Sequence, residues 1–116
     1  PSLGWEAKSI ALSQAWEHIV GQLRDVIREI KAGEKSALAY HMVNEQMDLA
    51  LLSQYSGIAL WRVKRHLKPA VFTKLTTADL SPYTELFGIT VDELRAVPDE
   101  PPPPPAAYTP SEGPHS

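Results

Sequence analysis

Between residues 9 and 32 the chain has no proline and one glycine, and Leu12, Trp16, Ile19, Leu23, Val26 and Ile30 follow one another at intervals of 4, 3, 4, 3 and 4. That spacing keeps returning to one side of a 3.6-residue helix, so the region is expected to be a helix with a heptad seam. Val20 and Ile27 widen the stripe to about three positions in seven, which suits a helix packed in a bundle. Lys31 and then Gly33 supply a cation and a cap at its C-terminal end. The stripe has two uses open to it: covering its own domain, or pairing with its counterpart in a second chain. The stretch that follows offers only short helices and little spare surface, which favours the second use. On that reading Leu12, Trp16, Ile19, Leu23, Val26 and Ile30 are dimerisation residues, and 1–33 is an oligomerisation or packing unit.

From Ser36 the apolar periodicity restarts. Leu38, Met42 and Met47 mark a short helix, and Leu49, Leu52 and Ser53 a second that Asp48 can cap through its carboxylate. Gly57 breaks that helix. Residues 60–68 read as a third, with Val63 and Leu67 inward, halted by Pro69. Thr76 or Thr77 starts a fourth, in which Ser81-Pro82 predicts a restart or a kink. Gly88 stops it, and Thr90-Val91-Asp92-Glu93 is a capping box for a last short helix. No segment alternates with period two, so no sheet is expected.

From residue 98 to 116 eight of nineteen residues are proline, and Leu, Ile, Val and Phe are absent. Such a segment buries too little apolar surface to offset its ordering entropy, so a disordered tail with local polyproline II is expected. It offers a possible site for a proline-recognising protein partner.

With 116 residues, 43% hydrophobic and 22% charged, the chain has room for one modest core. The lack of cysteine removes disulfide frameworks, thiolate metal sites and cysteine nucleophiles, and fits a reducing cytoplasm. Apolar runs fall well short of the roughly 20 residues of a membrane span, and the first residues lack a signal-peptide layout. The expectation is a cytoplasmic protein with no membrane contact and no cofactor. A net charge of −3 argues against indiscriminate coating of nucleic acid, but leaves room for one concentrated basic face.

That face lies at 60–68. Arg62, Lys64, Arg65 and Lys68 place four fixed positive charges within seven residues, His66 stands beside them, and no acid occurs between Asp48 and Asp79. A solvated helix normally mixes signs; phosphate binding requires concentrated charge of one sign. Arg65 is the first choice for a base contact, because its planar fork reaches both acceptors of a guanine edge. Leu60 and Trp61, at the start of the helix, suit apolar contact with thymine methyls.

In Leu52-Ser53-Gln54-Tyr55-Ser56-Gly57-Ile58-Ala59-Leu60-Trp61-Arg62-Val63 a small residue follows an apolar one, a turn glycine comes four later, an apolar residue follows it, and another comes five after that. This resembles the helix-turn-helix of the Cro and phage-repressor (XRE-like) family. The resemblance extends through Phe72-Thr73-Lys74-Leu75 to Leu80, Tyr83, Leu86, Phe87 and Gly88-Ile89-Thr90-Val91-Asp92-Glu93-Leu94, and so covers residues 36–97. Leu49 stands where that family commonly has glutamine, and Ser56 and His66 occupy places that are usually apolar. The resemblance implies an all-α, five-helix DNA-binding domain. Here it is preceded by a long amphipathic helix and followed by the tail. It also implies a sequence-specific regulator of double-stranded DNA, a bacterial or phage repressor working as a homodimer on an inverted repeat. Leu60, Trp61, Arg62, Lys64, Arg65 and Lys68 would be its DNA-binding residues. The alternative is an antitoxin-like or adaptor module that grips a protein through the N-terminal helix or the tail.

Other chemistry is thinly represented. His41 and Glu45, four apart on a helix, are two metal ligands without a third, which makes a weak site. Tyr40, Asp48 and Ser53 contain the residue types of an acid, base and nucleophile, but no phosphate loop or nucleophile elbow accompanies them. No enzyme activity and no metal site are expected.

Overall fold

The computed structural model describes the backbone of residues 2–102 and the side chains of residues 15–102. Among these residues there are seven helices and no strand: α1 Ser2–Lys31, α2 Ala37–Asn44, α3 Leu49–Ser56, α4 Leu60–His66, α5 Pro69–Phe72, α6 Thr77–Phe87 and α7 Val91–Arg95. The all-helical expectation holds, and no helix among the described residues is long and apolar enough to cross a membrane. The tail beyond residue 102 lies outside the described residues.

Two apolar clusters share α2. Ala37 and Leu38 join Leu52, Val63, Phe72, Leu80, Tyr83 and Leu94 in the main core, while Ala39 and Tyr40 meet Ile19, Leu23, Val26 and Ile27 of α1. A helix apolar on both sides has to be covered on both sides, and the four consecutive buried residues Ala37–Tyr40 make α2 the slab between α1 and the other helices. Leu67 and Val97 pack against both clusters and tie them together.

The α1 stripe therefore has an intramolecular use. Ile19, Leu23 and Val26 are buried within the chain, and Trp16 and Ile30 pack at the margin of the same cluster. The expected lack of spare surface is corrected by Ala39, Tyr40 and Val43, an apolar flank of α2 that single-helix periodicity did not separate from the main core.

Two boundaries differ from the sequence reading. Residues 69–72 form α5, which has Pro69 in its first turn and buries Phe72. Ser81-Pro82 does not restart a helix: α6 is one element through it. Thr76 and Asp79 close a capping box that fixes the first turn, and Pro82 sits inside the continuing helix.

Candidate functional site

The segment α3–turn–α4 is built by short-range chemistry. Asp48 accepts a hydrogen bond from the Leu51 amide at 2.8 Å and so caps α3. Gly57 ends α3 at φ 77°, a left-handed conformation that costs any other residue except asparagine or aspartate appreciably. The Ser53 hydroxyl donates to the Ile58 carbonyl at 2.6 Å, and the Ser56 hydroxyl accepts from the Ile58 amide at 3.2 Å. Both serines brace the turn, which accounts for Ser56 in a usually apolar place.

Three anchors fix α4. Val63 is fully buried in the main core. Ser36, at the start of α2, donates from its hydroxyl to the His66 carbonyl at 2.7 Å and from its amide to the Leu67 carbonyl at 2.8 Å. His66 itself is buried, with Nδ1 2.7 Å from the Tyr83 hydroxyl and the two rings edge to face. His66 thus takes the core place that the resemblance gave it and not the free face beside the cations: three residues after Val63, it points the same way. Burial, with Arg62 next, holds its pKa below the ordinary histidine value, while burial pushes the Tyr83 phenol up. A neutral ring can accept a hydrogen bond from the Tyr83 hydroxyl at Nδ1, so both groups are satisfied.

The opposite face is open. At about 100° per residue, Trp61, Arg65 and Lys68 fall within about 40° of the line opposite Val63, with Arg62 and Lys64 on either flank. All five are exposed, as is Leu60. No ion pair involves Arg62, Lys64, Arg65 or Lys68 among the described residues. The Arg62 guanidinium lies 5.9 Å from the Trp61 ring centroid, a cation–π contact. Phe72 and Leu75 carbonyls accept from Arg95 beyond the end of α4, so that arginine is employed in the fold.

No family model, curated protein or solved structure matches the chain. The site thus stands on its own geometry. The sequence-predicted residues Leu60, Trp61, Arg62, Lys64, Arg65 and Lys68 are all exposed on α4 and its C-terminal extension, with Trp61, Arg65 and Lys68 outermost and Arg62 and Lys64 on opposite flanks.

Two residues escaped the sequence reading. Tyr55, 57% exposed, joins Leu60 (41%) and Trp61 (64%) as the large exposed apolar side chains of the described region. Its offset of three from the buried Leu52 gave no warning, because that spacing resembles an inward one. Asp79 is distant in sequence but shares with Arg62, Arg65 and Trp61 a groove of about 600 Å³ between α4 and α6. The Thr76 amide above all, with Arg62 contributing less, holds its carboxyl below the usual range. The basic face therefore has one acidic border, on the Arg62 side.

The competing residues have structural work. Tyr40 is in the α1–α2 cluster, Asp48 caps α3 and Ser53 braces the turn. His41 stacks near Phe87, and no group of three potential metal ligands occurs among the described residues. Leu12 lies where side chains are not described.

Proposed function

We propose that the chain is a sequence-specific double-stranded DNA-binding protein, a transcriptional regulator that represses by occupying a promoter. In this reading α3, the Gly57 turn and α4 act as a helix-turn-helix of the phage-repressor and Cro type, within a domain of α2–α7 in which the single turn of α5 is added to the five helices that the resemblance implies. The α4 helix enters the major groove. The observation that carries the reading is the set of exposed cations Arg62, Lys64, Arg65 and Lys68, in no ion pair among the described residues, on a helix and its C-terminal extension clamped from behind by Val63, His66 and Ser36. Rigid presentation of concentrated charge is what phosphate recognition needs.

A single small module buries little surface on DNA, so a homodimer on an inverted repeat is part of the proposal. Its recognition helices would sit roughly 34 Å apart, or a multiple of that. Because Ile19, Leu23 and Val26 are occupied within the chain, the pairing falls to the N-terminal part of α1, where Leu12 lies.

The test is anisotropy of a labelled duplex titrated with the full chain across a salt series. Each phosphate neutralised contributes about 0.9 to the log–log slope, so three or four contacts in each protomer of the dimer give a slope of about −5 to −7. Lys68→Gln is expected to make that slope shallower by about one such contribution per protomer, about 1.8 for the dimer. Arg65→Ala should lose base preference as well as affinity. Binding indifferent to both salt and Arg65 would overturn the reading. Exposure of Tyr55, Leu60 and Trp61 favours a second one, an adaptor or antitoxin-like module with a protein partner. It is distinguished by partner capture that survives charge reversal on α4.

A further inference from the structure

Phosphate binding leaves the apolar tip of α4 unexplained. Trp61 is 64% exposed and Leu60 41% exposed, at the first two positions of the helix, and neither neutralises charge. Trp61 lies on the outermost line of α4 with Arg65 one turn later. Four residues of helix rise about 6 Å, against about 3.4 Å per base pair, so the two side chains address base pairs one or two steps apart. Arg62 rests against the indole and limits its freedom on that flank. In the major groove the apolar feature of a base edge is the pyrimidine C5 methyl, and the two-acceptor feature that an arginine fork fits is guanine O6 and N7.

We infer that α4 reads a C5-methylated pyrimidine within one or two base pairs of a guanine. Trp61, flanked by Leu60, covers the methyl, and Arg65 forks onto the guanine. The inference rests on the DNA-binding reading and specifies what that site recognises. Thymine and 5-methylcytosine present the same methyl in the same groove, and they are separated by experiment.

Duplexes that the full chain selects from a random pool are sequenced, then resynthesised with uracil for thymine, or with 5-methylcytosine for cytosine. Loss of one buried methyl is expected to weaken binding about fourfold. A thymine source shows as that loss with uracil; a 5-methylcytosine source shows as a comparable gain on methylation. Trp61→Ala should abolish either difference while leaving the salt slope unchanged, and the indole's exposure makes this variant fold like the parent. Arg65→Lys should keep the methyl effect and lose the guanine in the selected sites. Equal affinity with and without the methyl overturns the inference while the DNA-binding reading stands. Failure to retain any duplex at low salt overturns that reading, and this inference with it.

Discussion

His66 sits among the cations of α4 in sequence, yet its ring faces the core and meets Tyr83. Its pKa and that of His41 are both lowered, burial being the first cause in each. Folded, these rings stay neutral at a pH where the unfolded chain, titrating near 6.5, is protonated. The unfolded state then binds more protons, so stability rises with pH through that window. Their contribution is complete above about pH 6.5 and is lost as pH falls below it. Thermal melts are expected to give a lower Tm at pH 5.5 than at pH 7.5, and His66→Leu should flatten part of the difference. A Tm that is level or higher at pH 5.5 would contradict the assignment. A second residue carries strain that can be relieved. Gln46 has φ 57° and closes α2, its amide donating to the Val43 carbonyl while the Met47 amide donates to Met42. Glycine usually fills that left-handed position. Gln46→Gly is expected to stabilise the chain by about 0.5–1 kcal/mol, read as a higher midpoint in urea with an unchanged slope. The Gln46 turn was not visible in the sequence, because glutamine announces no turn; the core place of His66 was, through the resemblance, but its partner Tyr83, 17 residues away, was not.

At the scale of elements, the parts set by local chemistry were legible. Asp48, Gly57, Gly88 and the Thr90–Glu93 box were all placed correctly, since a cap acts over three or four residues and a left-handed turn over one. Also legible was the set of exposed residues on α4, because one inward residue, Val63, fixes the outer face by geometry. The missed elements depend on distant partners. The single turn of α5 exists because Phe72 has a core to enter, and α6 runs on through Pro82 because its first turn is already boxed and Tyr83 and Leu80 are buried. Asp79 reaches the edge of the basic face only through the packing of α6 on the other helices. Gly57 gives the sharpest test at this scale. A Cβ added there meets nothing within 4 Å, so the cost of Gly57→Ala is conformational and not steric. It should destabilise the chain by about 1–2 kcal/mol in urea denaturation. Because the turn aims α4, duplex binding should weaken further than the loss of folded protein accounts for. A stability within experimental error of the parent would mean that the turn relaxes to an ordinary conformation at no cost.

For the whole molecule, the arithmetic of lengths decides what α1 is free to do. Its 30 residues extend about 45 Å, whereas the eight residues of α2 that it packs on extend about 12 Å. Among the residues whose side chains are described, the buried positions of α1 are Ile19, Leu23, Val26 and Ile27, and the proposed dimer would use the seam ahead of them. The periodicity in the sequence could not divide it, since the same 4–3 spacing serves a helix in its own bundle and a helix in a pair. Removing residues 1–33 would strip the cover from Ala39 and Tyr40 and confuse loss of fold with loss of association. A chain shortened to residues 15–116 keeps that cover and is the informative comparison. Sedimentation equilibrium is expected to give twice the chain mass for the full protein and the single mass for the shortened one, which keeps the helical circular dichroism and cooperative melting of a folded domain. A single mass for both would remove the dimer while leaving binding to DNA by monomers intact. A doubled mass for both would move the interface off the first half of α1 and onto the exposed surface of the domain, where Tyr55, Leu60 and Trp61 are the apolar candidates. In that last case dimerisation and duplex binding would compete for the same face, and added duplex would shift the mass towards the monomer complex.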